Sequence, residues 1–432
     1  MERILEKARK VAEAAEVFLV NAEETPVQFE ANRLKHVQGK QSTSVALRII
    51  KDSRIGYATG TDVNDAQTLV DNAVETARFG TRARFELPPT TPYPPVDIFD
   101  PEVESIAVEK MASLGEELIA LVTKHTPDIV CEAAVEKETI TLRIINSRGG
   151  QAEYKKSVFG IGMVGNLVRE TDMLFVGEGQ SSCHPLTEVK EIAKAVLRQL
   201  DLAKNQASAP TKTLPVIFTP EGVASALISP LMAAFNGKTV LQGASPIGNK
   251  LGEPVFDDKL SIWDDPTIAY RPHSRPCDDE GTPSQRTPLV EKGVVSSFLY
   301  DLQTAALAKT KSTGSASRGG GLPLPSPSTL AIAPGKISFD EMVGDIKEGL
   351  VIEQLMGAEQ GNILGGDFSG NVLLGYKVES GKIVGRVKNT MVAGNVYKLL
   401  KEISAIGSQA KWVGGVINVP PIYCPRLSVA SE

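Results

Sequence analysis

The densest cluster of reactive side chains is Arg271-Pro272-His273-Ser274-Arg275-Pro276-Cys277-Asp278-Asp279-Glu280-Gly281-Thr282-Pro283. By residue type, His273, Cys277 and one of the carboxylates that follow could be offered to a metal. Pro272 and Pro276 break the helix that would aim His273 and Cys277 together, and no second histidine lies nearby. The alternative is a turn in which Asp side chains accept hydrogen bonds from nearby backbone N–H groups ahead of Gly281. Cys183-His184 is the other adjacent pair, but neighbours in sequence point different ways and do not give a thiolate its base. Its place just before a helix could lower the thiol pKa. His36 and His125 stand alone among polar residues and read as surface positions.

Two glycine-rich stretches do not carry nucleotide chemistry. Arg318-Gly319-Gly320-Gly321 lacks the Lys-Ser/Thr of a phosphate loop and runs into prolines instead of a helix. The glycines between Gly357 and Gly375 suit bulges, turns and close backbone packing.

The elements that must position these groups follow from periodicity. The N-terminus reads as a helix to about Ala15, followed by strands at Ser44–Ile50 and Arg54–Ala58. A helix then places Ala66, Leu69, Val70, Ala73, Val74 and Ala77 on one face, with Asp62 as its cap and Gly80 as its stop. Pro88, Pro89, Pro92, Pro94 and Pro95 make an extended connector, and an internal boundary is placed near 87–101. Two further amphipathic helices (Val108 to Val122, Val189 to Leu200) flank strands between Ile129 and Gly177. A small-residue linker at 206–212 then separates a first region, 1–209, from a second, 210–432.

The second region is punctuated by glycine and proline. Hairpins turn at Lys292-Gly293 and Ser380-Gly381, where glycine tolerates the positive φ of a tight turn. Lys309 to Ser328, rich in Ser, Gly, Pro and Thr, is a long loop and therefore mobile or functional. Thr219 caps and Pro220 starts a helix that is apolar nearly all round through Phe235 and should kink at Pro230. The expected class is α+β: an N-terminal α/β part with amphipathic helices on a sheet, then a mostly antiparallel β part with a few helices.

Composition bounds the function. The 432 residues suit two or three domains at about 150 residues each. No apolar run approaches the roughly 18–20 residues of a membrane span. A net charge of −6 and the lack of a basic patch disfavour direct nucleic-acid binding. Four scattered cysteines with no CxxC pair, and a start without an apolar leader, point to a reducing, cytoplasmic setting.

The chain resembles the TldD/PmbA family, and within it the PmbA (TldE) branch, once called modulators of DNA gyrase. The resemblance is carried by Asp278-Asp279-Glu280-Gly281-Thr282-Pro283, by Leu289 to Asp301, by Ser312-Thr313-Gly314-Ser315-Ala316, by Gly366-Asp367-Phe368-Ser369 and by Ala393-Gly394-Asn395. It implies a dimeric α+β protein whose TldD-type partner is a zinc metalloprotease acting on peptides. There, a His-Glu-x-x-x-His helix and a downstream cysteine hold zinc, and the Glu activates water. The corresponding helix here, 220–235, has no histidine; its only acid is Glu221, and Cys424 does not match the thiolate position.

The resemblance therefore implies a chain with no catalytic residue and no metal of its own, zinc being expected in a TldD-type partner. Asp278, Asp279, Glu280, Gly281, Ser312, Thr313 and Gly314 are the candidates for a peptide-cavity lining. The partner is a TldD-type subunit or a second copy of this chain; the alternative is a homodimeric peptide-binding protein without a protease partner.

Overall fold

The computed structural model describes residues 1–170 and 172–431. A short helix α1 (Glu2–Ala8) precedes β1 (Ala14–Glu30), β2 (Arg33–Val37), β3 (Lys40–Lys51) and β4 (Arg54–Gly60). Helices α2 (Ala66–Ala77), α3 (Pro101–Ser105) and α4 (Val108–His125) follow. Three long strands come next, β5 (Val130–Asn146), β6 (Gln151–Arg169) and β7 (Asp172–Ser182), and then α5 (Lys190–Leu202). The strands form one antiparallel sheet in the order β4-β3-β1-β5-β6-β7, with β2 added to β1.

Several local expectations need correction. The first helix ends at Ala8 because Ala15, Val17 and Leu19 alternate into the core as a strand beside β3. Asp65, not Asp62, caps α2 by accepting from Thr68 N, while Asp62 accepts from Asn64 N in a local turn. Gly80 lies past the helix end; a Cβ there would meet the Ile55 carbonyl at 1.8 Å, so close packing and not a cap requires the glycine. Cys183 is not at a helix start, since α5 begins seven residues later.

After β8 (Gln206–Ala207) and β9 (Lys212–Phe218), the second half builds a mixed, mainly antiparallel sheet. Strands Glu348–Met356, Lys212–Phe218, Ile422–Ser431, Thr390–Asn395 and Asp367–Glu379 pair in that order, and the last also pairs with the first, closing the path on itself. Both expected hairpins are present, with positive φ at Lys292 and Gly293 and at Ser380 and Gly381. The architecture is α+β, with the helices of the second half few and short.

Thr219 caps the next helix by accepting from Gly222 N, and Pro220 occupies its first turn. Pro230 does not produce a simple kink. The helix Pro220–Val223 widens into a π turn, Ala224–Ile228, and resumes as Ser229–Phe235, so wider winding just ahead of the proline accommodates its missing N–H. Val223, Leu227, Leu231 and Phe235 are fully buried. Each such side chain contributes roughly 1.5–3 kcal/mol of burial.

One core unites the halves. Met111, Leu118 and Val122 of α4 and Val196 of α5 pack with Phe29, Val135, Phe159 and Ile161 of the first sheet. Ile217, Val351, Leu374 and Tyr376 of the second half complete this core. The two sheets are thereby held against each other, and the space along their junction is set by the helix at 220–235 and by β7.

Candidate functional site

A groove of ≈ 1050 Å³ runs along the first sheet toward this helix. Its floor comes from β1, β5, β6 and β7, including Phe29, Glu132, Glu136, Val164 and Phe175; its wall presents Glu221, Ala224 and Ser225, with Gln354, Leu373, Val413 and Gly414 beyond them. Gly162 and Gly179 face each other across β6 and β7, and Gly160 and Gly177 stand close by, so part of the floor has no side chain. An extended backbone can approach such a surface closely. β7 is an edge strand of the sheet, and its edge groups beside the groove are bonded within the chain: Gln199 Oε1 accepts from Gly177 N (2.8 Å), Gln199 Nε2 donates to the Gly177 carbonyl (3.1 Å), and Glu178 Oε1 accepts from Gly179 N (3.1 Å).

One charged cluster separates this groove from a second cleft of ≈ 590 Å³. Lys411 Nζ donates to Glu221 Oε1 (2.7 Å) and to Glu178 Oε2 (2.5 Å). Burial opposes the ammonium, but the two carboxylates hold Lys411 above its ordinary pKa. The second cleft is also lined by Arg198, Gln199, Thr219, Ser338, Phe339, Asp340 and Glu353.

Glu353 is 6 % exposed, and burial together with the neighbouring Glu221 pushes its carboxyl up to about 7. The folded chain therefore binds more protons than the unfolded chain between the ordinary value of 4.5 and about 7, so this group makes stability fall as pH rises through that window. Relative to wild type, Glu353→Gln is expected to raise the unfolding free energy by about 2–3 kcal/mol at pH 8 and by little at pH 4.5. Urea titrations at the two pH values measure this; an equal effect at both contradicts the assignment.

The structure brings the sequence candidates together at a different place. Asp278 is fully buried: its Oδ1 accepts from the amides of Glu280 (3.0 Å) and Thr282 (2.9 Å), and its Oδ2 from Ala316 N (3.0 Å). Asp279 Oδ2 accepts from Arg318 N (2.7 Å), and its carbonyl accepts from Arg318 Nε (3.0 Å). Glu280 pairs with Arg48 of β3 and accepts from Leu302 N (2.7 Å). Arg48 also meets Glu16 of β1 at 3.1 Å, and Arg318 pairs with Glu16. Gly281 has φ +74°, as the turn requires.

Ser312 and Thr313 both donate to the Tyr300 carbonyl (3.1 Å each), and Gly314, at φ +68°, lies so close to Pro283 that a Cβ would meet its carbonyl at 2.6 Å. The acidic turn and the buried stretch Thr313–Ala316 of the loop thus form one unit, docked on the first sheet by paired arginines and carboxylates, while Lys309–Lys311, Gly319, Gly320, Leu322 and Leu324 of the same loop are exposed. The loop is partly ordered by pairing of Ala316–Ser317 with Leu324–Pro325.

The remaining reactive candidates do not converge. His273 Nδ1 donates to the Ser328 carbonyl (3.3 Å), and partial desolvation of its ring together with the nearby Lys156 lowers its pKa, although the residue as a whole is exposed. Cys277 lies in a small apolar cluster with Phe18 and Ile144, and burial raises its thiol pKa. Cys183 is buried and pushed up to about 11, opposite to an activated thiolate; His184 bonds Asp100 (2.6 Å) and stacks on Tyr270. Cys424 is fully buried between β9 and the core, and burial pushes it up to about 12. Among the described residues, no three His, Cys, Asp or Glu side chains are grouped to hold a metal.

Sequence reasoning named Glu221 only as an isolated acid and missed Glu178, Arg198, Glu353 and Lys411. The available signal was Glu353 itself, an acid interrupting the buried apolar run Leu350-Val351-Ile352.

A closed sheet joined through a common core to a long antiparallel sheet, with a capped, π-wound helix on their groove, defines an α+β protein. Residues 211–431 match the PmbA/TldA metallopeptidase C-terminal domain and residues 15–77 match PmbA/TldA metallopeptidase domain 1. The chain belongs to the PmbA/TldA metallopeptidase family.

Among its relatives, an uncharacterized protein of Methanocaldococcus jannaschii is 29 % identical over 93 % of each chain. Metalloprotease PmbA of Escherichia coli O157:H7 is 25 % identical over 99 % of this chain and 94 % of its own. The crystal structure of TldE from Thermococcus kodakarensis shares the fold over the whole of both chains, with a TM-score of 0.89 at 20 % identity. No helix among the described residues is long and apolar enough to cross a membrane.

Proposed function

We propose that this chain is the PmbA/TldE-type, non-catalytic subunit of a TldD/TldE-like metallopeptidase, and that its groove helps hold a peptide for a zinc-bearing TldD-type partner. The observation that carries this reading is the wall of the groove. Zinc hydrolysis needs about three protein ligands around an open position. The helix 220–235 turns Glu221, Ala224 and Ser225 to the groove, and Glu221 is already bonded to Lys411. Cys424, the only cysteine late in the chain, is a buried, protonated thiol in the core. These residues do not fit a zinc ion, so no hydrolytic step is assigned to them.

What the chain supplies instead is positioning. The side-chain-free floor at Gly162 and Gly179 suits an extended peptide whose backbone lies close along the groove, a mode tolerant of sequence. The buried, reduced cysteines suit the cytoplasm, and the net charge of −6 gives DNA little to bind.

The test is a reconstitution. The purified chain alone should cleave no unfolded peptide, and adding it to a TldD-type chain should raise zinc-dependent cleavage above that of the TldD-type chain by itself. Cleavage by this chain alone, or an unchanged rate on mixing, overturns the proposal. Peptide retention without any effect on a TldD-type chain would instead support the homodimeric peptide-binding alternative.

A further inference from the structure

The cleft of ≈ 590 Å³ beside the groove holds an acid with nothing to pair with. Glu353 sits in a β-bulge: Ile352 lies opposite Gly375 and Gln354 opposite Leu374, so Glu353 is the extra residue that faces no partner across the ladder. Bulges re-aim a side chain, and here the side chain lines the cleft. It is more than nine-tenths buried, and among the described residues it has no hydrogen-bond or ion-pair partner. A buried carboxylate in that state is stable only if it stays protonated or receives a cation.

The neighbouring groups narrow the choice of cation. Glu178 and Glu221 are occupied by Lys411, so they are not free to complete a metal site with Glu353. Asp340 lies at the exposed lip, and the fully buried Tyr376 hydroxyl behind Glu353 has no partner. Arg198 lies over the Phe339 ring, with its guanidinium 5.4 Å from the centroid, and carries no ion pair among the described residues. One unpaired anion and one unpaired cation therefore line a single small cleft.

We propose that this cleft binds the free primary ammonium group of an amino acid or short peptide on Glu353, with Arg198 available to the carboxylate of the same ligand. The bonding is a charge-assisted N–H···O contact at the buried Glu353 end of the cleft, whereas Arg198 stands at its exposed side, and a Glu353 carboxyl that was protonated gives up its proton on binding. The inference does not depend on the subunit assignment, since a chain that proved catalytic or partnerless would offer the same cleft.

Calorimetric titration of the full chain with glycylleucine and with N-acetylglycylleucine tests it. The free dipeptide should bind roughly tenfold or more tightly than the acetylated one, and Glu353→Gln should lower its affinity by a similar factor. Repeating the titration at pH 6 in buffers of different ionisation enthalpy should show proton release by the wild-type protein and none by Glu353→Gln. Equal affinity for the two dipeptides, no binding of glycylleucine by the wild-type protein, or unchanged affinity in Glu353→Gln would each overturn the proposal. The comparison of dipeptides uses only the wild-type chain, so it stands whatever the variant's stability.

Discussion

Arg48→Met is expected to lower the unfolding free energy by about 3–5 kcal/mol, the range for removing one partner of a buried ion pair. Arg48 is 3 % exposed and is the link between Glu16 at 0 % and Glu280 at 1 %. Its guanidinium also lies over the Phe85 ring at 4.8 Å. Methionine replaces the aliphatic stem but leaves two carboxylates in the interior with too little positive charge. Glu16 keeps Arg318, whereas Glu280 keeps only the Leu302 amide, so most of the penalty falls on Glu280. Denaturant titration of the two proteins measures the effect. A loss below about 1 kcal/mol, the range of exposed pairs, would show that the network is not sealed from water.

Asp278→Ala is expected to lose about 3 kcal/mol or more, because three buried amides, those of Glu280, Thr282 and Ala316, lose their acceptor. Asp278→Asn separates the contributions. Its single carbonyl oxygen can still serve the Glu280 and Thr282 amides at Oδ1, and only the Ala316 bond at Oδ2 is lost, so a cost of about 1 kcal/mol is expected. Burial and the nearby Glu280 push the Asp278 carboxyl up to about 7. Its folded value is raised, so its ionisation weakens the fold as pH rises toward 7 and above, and Asp278→Asn should be better tolerated at pH 8 than at pH 5. Equal losses in the Ala and Asn variants would contradict the acceptor role. Arg48 and Asp278 share one network through Glu280, so their effects should not add.

The sequence carried those parts of the fold that rest on local chemistry. Thr219 and Pro220 mark a helix start by their cap and missing N–H, and Lys292-Gly293 and Ser380-Gly381 mark hairpins by the φ they permit. The turn at Asp278 was likewise legible, since an Asp three residues before a Gly bonds its own backbone. Long-range pairing was not. Arg48 lies 232 residues from Glu280, and no local pattern says that they meet. Lys411 joins Glu178 and Glu221 from distances of 233 and 190 residues. The helix forecast through Ala15 failed because Ala14 onward pairs with β3, a tertiary contact that overrides helical spacing. Glu353 is set by a bulge that only the paired strand reveals.

The most direct test of a non-catalytic subunit is the metal content of the natively purified chain, measured by elemental analysis alone and after mixing with a TldD-type chain. The account predicts negligible zinc in the isolated polypeptide and zinc that tracks the TldD-type chain in the mixture. One firmly held zinc per isolated polypeptide, displaced by histidine-free changes such as Glu221→Gln or Cys424→Ser, would contradict it.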